Sequence, residues 1–412
     1  MRNSNESPKK IIILTSDAGF GHRSASNAIK AALEELPEEK CQVDIINPLE
    51  DKRTPFFLRD SQEDYDRIVR EMPKLYQLGY EATDDTVATA LIEGGATVLL
   101  YEVMWDILKK YKPDAIVTTY PLYQAPLTSI FTIERMSVPL ITVVTDLVTV
   151  HRFWFHKHTD VFVVPTDSVK QLALDYGVDP QKIRLIGIPV HPNIHKEQRT
   201  RQQLREVLGW RTDLPTILAV GSKRVDGLVE SLNVVNHFGA PLQLVVVAGK
   251  DEELYQKLQQ IEWHLPTHIY NYVSNMPMFL RAADVLITKA GGLISTEALA
   301  AGLPMILIDL IPGQETGNAE YIVKNGAGDL ATTPVELLEV LYHWLSNDLQ
   351  LLHERANCAA QIGKPLAAHE VATLAWQHAQ IGPVKRNPLL VARRPKIIDF
   401  LTNHQVHWEN KE

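Results

Sequence analysis

A turn rich in glycine, Ser16-Asp17-Ala18-Gly19-Phe20-Gly21-His22-Arg23-Ser24, joins the apolar run IIILTS to the helix-like SASNAIKAALEEL. Glycines let backbone amides come close to a ligand, and the helix N-terminus behind them favours an anion or a polarised oxygen. Gly19, Phe20 and Gly21 therefore read as a ligand loop. Its spacing is not the G-x-G-x-x-G of dinucleotide enzymes, so a nicotinamide reading loses its main support. His22 sits where open α/β sheets bind ligands, and a near-neutral imidazole there suits proton abstraction from an alcohol. The alternative is an N-cap or a structural hydrogen-bonder.

The second half carries a matching apparatus. Lys289-Ala290-Gly291-Gly292 follows a strand-like run, and Leu293-Ile294-Ser295-Thr296-Glu297 opens a helix. Such a start aims amides and a helix dipole at a phosphate-sized anion, while Glu297, one turn in, suits a ribose diol or simply caps its own helix. The loop Pro312-Gly313-Gln314-Glu315-Thr316-Gly317-Asn318-Ala319 brings further amides and carboxylates to the same sheet edge, a set that suits sugar hydroxyls.

Between these lies Val144-Thr145-Asp146-Leu147-Val148-Thr149-Val150-His151-Arg152-Phe153-Trp154-Phe155-His156. Asp146 and His151 read as an acid–base pair, a metal-binding pair or a satisfied hydrogen-bond network, and Asp146 ranks below His22 as a base. Asp64-Tyr65-Asp66 satisfies a D-x-D pattern, yet its charged helical surroundings read as a solvated face. With no carboxylate pair beside the phosphate loops, no catalytic metal is expected.

The elements that must position these residues alternate regularly. Apolar runs at 11–16, 43–47, 114–119, 139–146, 160–165 and 182–188 are separated by helical stretches, and the alternation restarts at 215–220, 241–249, 267–273, 284–292 and 304–310. Strands apolar throughout, separated by helices, mean buried parallel sheets, and two such blocks mean two Rossmann-like halves. The expected organisation is an N-terminal domain over 1–195 with a helical insertion at about 50–110, a C-terminal domain over 196–381, and a tail over 382–412 that packs back across the other domain.

Composition agrees. A chain of 412 residues exceeds one comfortable core, and 45% hydrophobic with 22% charged residues is ordinary for folded proteins. A net charge of −9 argues against nucleic-acid phosphate as the partner. Cys41 and Cys358 stand far apart, so neither a disulfide framework nor a zinc site is indicated, and a reducing cytoplasm fits. The opening MRNSNESPKK shows no signal-peptide core, and no run is long and apolar enough to span a bilayer, so membrane contact is expected to be peripheral.

Several long motifs, in order, resemble glycosyltransferase family 28, in particular the monogalactosyldiacylglycerol synthases and processive diacylglycerol glucosyltransferases. They are SDAGFGHRSASNAI, VTDLVTVHRFWFHKHTD, VPTDSVKQLALDYGVDPQKIRLIGIPVHP and TKAGGLISTEALAAGLPMILIDLIPGQETGNA. The resemblance implies a GT-B architecture, two Rossmann-like domains facing across a cleft, with a UDP-hexose on the C-terminal domain and a lipid acceptor on the N-terminal one. UDP-sugar is then a substrate and no cofactor is implied. In that scheme His22 is the general base, beside an acceptor loop of Gly19, Phe20 and Gly21. Glu297 takes the ribose hydroxyls, Lys289, Gly291, Gly292, Leu293 and Ile294 lie near the diphosphate, Gln314, Glu315 and Asn318 hold the sugar, and Tyr272 and Val273 line the uracil site. Family members invert an α-linked donor to a β-glycoside, which requires one in-line displacement with a base on the acceptor hydroxyl.

Two features depart from the family pattern. The loop after the first strand of the second half, Ala219-Val220-Gly221-Ser222-Lys223-Arg224, has one glycine, so phosphate contact there falls to Gly221, Ser222 and Lys223; the first loop carries Ala18 and Phe20 among its glycines. A lipid acceptor requires a route to a membrane surface. Three segments offer one: the insertion from Thr54 to Leu100, the aromatic and basic HRFWFHKH, and a tail with Lys385, Arg386, Arg393, Arg394 and Lys396 that suits anionic lipid at roughly 1 kcal/mol per charge. The expected activity is an inverting transfer of a hexose, galactose ahead of glucose, to diacylglycerol, by an enzyme cytoplasmic and peripherally associated with a membrane. The alternatives are a polyprenyl-linked saccharide as acceptor, or a non-catalytic UDP-sugar-binding protein.

Overall fold

The computed structural model describes residues 8–17, 20–36, 41–59, 86–221, 225, 227–310 and 315–385; for Phe20, Phe56, Phe57, Thr86 and Val87 it describes the backbone alone. Gly19, Ser222, Lys223, Gln314 and the Asp64-Tyr65-Asp66 pattern lie outside the described residues, as does the tail beyond Lys385.

The N-terminal half contains β1 (Lys9–Leu14), β2 (Cys41–Ile46), β3 (Ala115–Thr118), the short β4 (Met136–Ser137), β5 (Leu140–Val143), β6 (Val161–Val164) and β7 (Ile183–Leu185). Six of them form one parallel sheet in the order β2-β1-β3-β5-β6-β7. The C-terminal half contains β8 (Thr216–Val220), β9 (Gln243–Val247), β10 (Thr267–Tyr270), β11 (Val285–Lys289), β12 (Met305–Asp309) and β13 (Gly328–Leu330), in the order β10-β9-β8-β11-β12-β13. Each order reverses direction beside its first strand, at β1/β3 and at β8/β11, and the crevice outside the strand ends at such a switch point is where open α/β sheets bind ligands.

Alternation along β1 shows why the sheet is covered on both faces. Ile11 and Ile13 face a layer made by helix Phe20–Glu34 (Ala28, Ile29, Ala32, Leu33) and helix Ala367–Ile381. Ile12 and Leu14 face the opposite layer, made by helices Thr86–Tyr111 (Leu100, Met104, Leu108) and Gln124–Ile133 (Leu127, Ile130, Phe131). Apolar residues on both faces leave no solvated side, which is why these strands are apolar throughout.

Helix Ala367–Ile381, the last of the helical segment that began at Pro334, belongs by packing to the N-terminal sheet. Its Ala368, Val371, Ala372, Ala375 and Ala379 are buried there, the small side chains allowing close approach. The turn that delivers it passes over the C-terminal half at Gly363, where a β-carbon would collide with the Leu299 carbonyl, so only glycine fits. Just beyond that helix, β14 (Val384–Lys385) pairs antiparallel with β4. The chain thus ties the two halves together twice, at the linker after Val190 and again after Ile362.

Candidate active site

Several of the side chains singled out in sequence lie at strand ends beside the two switch points. His22 is the third residue of helix Phe20–Glu34, and its backbone carbonyl accepts hydrogen bonds from Ser26 Oγ and Thr119 Oγ1, which hold the helix start against the end of β3. Its ring packs edge-on to Tyr120 (centroids 5.1 Å apart) and 6.0 Å from the Trp154 ring. Nδ1 lies 2.8 Å from the hydroxyl of Thr145, two residues past β5. The side chain therefore points into the crevice and does not cap the helix. Burial pulls its pKa down to about 4, partly offset by a hydrogen bond with the Thr119 backbone, so the ring is neutral at pH 7. In that state one ring nitrogen is bare and can accept a proton from an alcohol.

Asp146 lies next to Thr145. Burial raises its carboxyl to about 6, against the pull of a hydrogen bond from Trp154. His151 Nδ1 accepts from the Phe153 amide and caps the short 3-10 turn Arg152–Trp154. That turn is pinned by Gln124, whose Nε2 donates to the Trp154 carbonyl while its Oε1 accepts from Thr159 Oγ1. Of the aromatic cluster in the sequence, Trp154 thus lines His22, while Phe155 packs away from it on Phe162 and Tyr176. In front, Arg23 grips Asp17 through two bonds of 2.7 and 2.8 Å, and Asn47 Nδ2 adds a third to the same carboxylate.

On the C-terminal side, Gly291 caps helix Gly292–Ala301 directly after β11. Lys289 ends that strand at a register slip and forms a buried ion pair with Glu315, Nζ to Oε1 at 2.5 Å. Asn318 Nδ2 donates to the Ala290 carbonyl at 3.0 Å, fixing the loop from a neighbouring helix. Ile294 packs on the core, and Leu293 opens the first turn beside it. Glu297 is only 8% exposed, and among the described residues no donor or cation partners it. Burial alone raises its carboxyl to about 7. A buried carboxylate without a partner costs several kcal/mol in charged form unless a ligand supplies donors.

Gly221, past the end of β8, is closely packed: a β-carbon there would sit 2.6 Å from Leu228 Cδ2 and 2.8 Å from Leu254 Cδ2, so those two side chains would have to move. Tyr272 and Val273 lie just past β10. Tyr272 is 57% exposed with the Lys250 ammonium 4.3 Å over its ring, and Val273 packs against the core. Among the described residues, no group of three His, Cys, Asp or Glu could hold a metal ion.

The two sides touch. A β-carbon on Gly292 would lie 3.5 Å from the Thr145 carbonyl, and one on Gly317 would lie 2.5 Å from Thr149 Oγ1 and 3.2 Å from Val148. His22 and the start of helix Gly292–Ala301 therefore contact the same residue, Thr145. Sequence reasoning singled out this segment for Asp146 and His151 but gave no part to Thr145 and Thr149, which are ordinary β-branched residues; only the opposing glycines signalled that another backbone comes close.

The N-terminal half matches the family model of monogalactosyldiacylglycerol (MGDG) synthase over residues 22–190, and the C-terminal half matches the glycosyltransferase family 28 C-terminal domain over 217–371. The chain is 33% identical to the monogalactosyldiacylglycerol synthase of Spinacia oleracea, covering 85% of this chain and 69% of that one. It is 32% identical to a probable monogalactosyldiacylglycerol synthase of Glycine max, covering 89% and 71%. The chain belongs to the monogalactosyldiacylglycerol synthase family.

Solved structures place that family's fold here as GT-B. Acinetobacter baumannii MurG superposes with a TM-score of 0.57 at 16% identity, over 90% of this chain and 100% of that one. A UDP-GlcNAc 2-epimerase from Neisseria meningitidis gives 0.58 at 14%, over 89% and 100%. At such identities the likeness speaks for the fold alone, because one architecture carries both transferases and epimerases.

Proposed function

We propose that this chain transfers galactose from UDP-galactose to the free hydroxyl of diacylglycerol, with inversion, to form a β-galactosyl diacylglycerol. The single observation that carries the reading is a neutral imidazole on one side and, on the other, a buried carboxylate without a partner among the described residues, in elements that meet where Gly292 approaches the Thr145 carbonyl. His22 supplies a base for an alcohol, and Glu297 supplies an acceptor for a diol on the donor side.

The reaction follows from those parts. The acceptor hydroxyl enters beside Tyr120 and Trp154 and gives its proton to His22 as its oxygen attacks the anomeric carbon. UDP departs on the opposite face, its charge met by the amides at Gly291 and Gly292 and by the dipole of the helix they begin. Glu297 takes the ribose hydroxyls, with Gly221, Ser222, Lys289, Leu293 and Ile294 around the diphosphate. Gln314, Glu315 and Asn318 take the sugar, and Tyr272 and Val273 take the base. Gly19, Phe20 and Gly21 shape the acceptor entrance. Asp146, its carboxyl raised to about 6 by burial and so still mostly ionised at pH 7, is the second-ranked base. In this reading residues 1–195 form the acceptor domain and 196–381 the donor domain, whose final helix serves as a brace on the other half.

Diacylglycerol is reached from a membrane surface. No helix among the described residues is long and apolar enough to cross a bilayer. Helix Thr86–Tyr111, which packs beside the Arg152–Trp154 turn, exposes Leu91 (72%), Val98 (54%) and Leu99 on its first half and Glu102, Asp106, Lys109 and Lys110 on its second. An apolar stripe that turns charged along one helix suits insertion at a headgroup boundary, with anionic lipid favoured by neighbouring cations. The half-buried, unpaired Cys41 and Cys358 fit a reducing compartment, on the cytoplasmic side of that membrane.

Purified protein offered UDP-galactose or UDP-glucose separately, with diacylglycerol vesicles, tests the proposal by mass spectrometry of the lipids. A galactosyl diacylglycerol supports it. UDP binding without lipid product would turn attention to a polyprenyl-linked acceptor or to a protein that binds UDP-sugar without turnover.

A further inference from the structure

A neutral imidazole carries one proton on either of two nitrogens, and only the bare nitrogen is a base. Whatever holds the protonated nitrogen decides which way the base faces. Around His22 the candidates are few. The rings of Tyr120 and Trp154 wall it in without fixing a proton. Asp17 is occupied by Arg23 and Asn47, and Asp146 by Trp154, so neither neighbouring carboxylate is paired with the ring. The Thr119 backbone and the Thr145 hydroxyl remain, and the hydroxyl stands 2.8 Å from Nδ1.

We propose that Thr145 is the positioning residue of the site: its hydroxyl accepts a hydrogen bond from Nδ1–H of His22 and so keeps Nε2 as the basic nitrogen. The proposal rests on His22 being the base of the transfer. Thr145 is suited to the task because it is buried and its β-branched side chain has little rotamer freedom at χ1. A hydroxyl that accepts from Nδ1–H holds this tautomer without the charge of a carboxylate, and so does not favour an imidazolium as an anionic orienter does. The same residue turns its backbone carbonyl towards Gly292, at the start of the donor-side helix. Base direction and donor position are thereby referred to one point in the chain.

Thr145→Val removes the hydroxyl at nearly constant shape, and Thr145→Ser keeps it. Long-range proton–nitrogen NMR of histidine-labelled protein reads the tautomer of His22, assigned by its loss in His22→Ala. Kinetics with UDP-galactose and diacylglycerol vesicles read turnover, and UDP titration checks the donor site. The parent and the serine variant are expected in the Nδ1–H form. The valine variant is expected to become Nε2–H or mixed, with kcat down about tenfold or more, the scale of a misdirected general base, and UDP affinity nearly unchanged. Thr145→Ala carries the same expectation should the valine variant not fold. An Nε2–H ring in the parent, with that proton on the Thr119 carbonyl, overturns the proposal, as does a valine or alanine variant with parental tautomer and kcat. Failure of the parent to make galactolipid would sink the reaction reading instead, while the tautomer comparison still decides the role of Thr145.

Discussion

Gly317 of the C-terminal half lies so close to Thr149 of the N-terminal half that a β-carbon on it would sit 2.5 Å from the threonine hydroxyl. Nothing larger than hydrogen fits between the donor-side loop and the strand-end loop that also carries Thr145. Gly317→Ala is expected to hold the halves slightly apart, at an overpacking cost of roughly 1–3 kcal/mol expressed in the closed arrangement. The expected result is a kcat/KM reduced about tenfold with UDP affinity of the free protein little altered. Pairing it with Thr149→Ser, which removes only the methyl group and keeps the hydroxyl, should not restore activity, whereas Thr149→Gly should recover part of it.

Glu297 makes a prediction about pH. Its carboxyl titrates near 7 in the folded chain and near its ordinary 4.5 when unfolded. Below pH 4.5 both states are protonated and no penalty exists. Between 4.5 and 7 the unfolded chain releases its proton first, so stability falls with rising pH, by on the order of 3 kcal/mol in all. Glu297→Gln should flatten that fall in a series of denaturant melts. UDP, whose ribose diol needs an ionised acceptor, should bind more tightly as pH rises through 7 in the parent and not in the glutamine variant.

His22 and Asp146 are separated by the acid limb of the rate profile. His22 titrates near 4 and Asp146 near 6. A base must be unprotonated, so kcat at saturating UDP-galactose, where the pH dependence of donor binding through Glu297 drops out, should climb with pH and level off just above the pKa of the group in use. With His22 as base the limb falls near pH 4, and His22→Ala lowers turnover at pH 7 by at least about 10²-fold while UDP affinity holds. A limb near pH 6, with His22→Ala close to the parent, would transfer the role to Asp146.

The apolar stripe on helix Thr86–Tyr111 predicts where lipid is met. Leu91→Asp and Val98→Asp change exposed positions and should leave UDP binding and thermal stability as in the parent. Sedimentation with anionic vesicles should show clearly weaker association for the double variant, and transfer to vesicle diacylglycerol should fall with it. Equal binding by parent and variant would place the membrane contact elsewhere.

Much of this architecture was legible because buried parallel strands must be apolar throughout. Runs such as those holding Ile11–Leu14 and Val161–Val164 leave no second reading, and glycines at strand ends mark the turns behind them. Helix Ala367–Ile381 was harder: its alanine face reads as an unremarkable end to the second half, and only three-dimensional packing puts it on the first sheet. Strand ends also shifted, since β10 stops at Tyr270 and leaves Tyr272 and Val273 beyond it. At the site, His22 and Glu297 stood out by type and spacing. That Glu297 is buried without a partner among the described residues was invisible, because nothing in a helix-opening glutamate distinguishes a cap from an unsatisfied carboxylate. Thr145 was invisible for a related reason: its task depends on a ring more than a hundred residues away in the chain.

The most direct measurement is the anomeric configuration of the glycolipid formed from UDP-galactose and diacylglycerol vesicles, read from the proton coupling at the sugar's anomeric centre. A single displacement promoted by one base across the cleft predicts a β-galactosyl product and no covalent sugar–protein intermediate. An α-linked product, or no galactolipid from a protein that still binds UDP, would contradict the account.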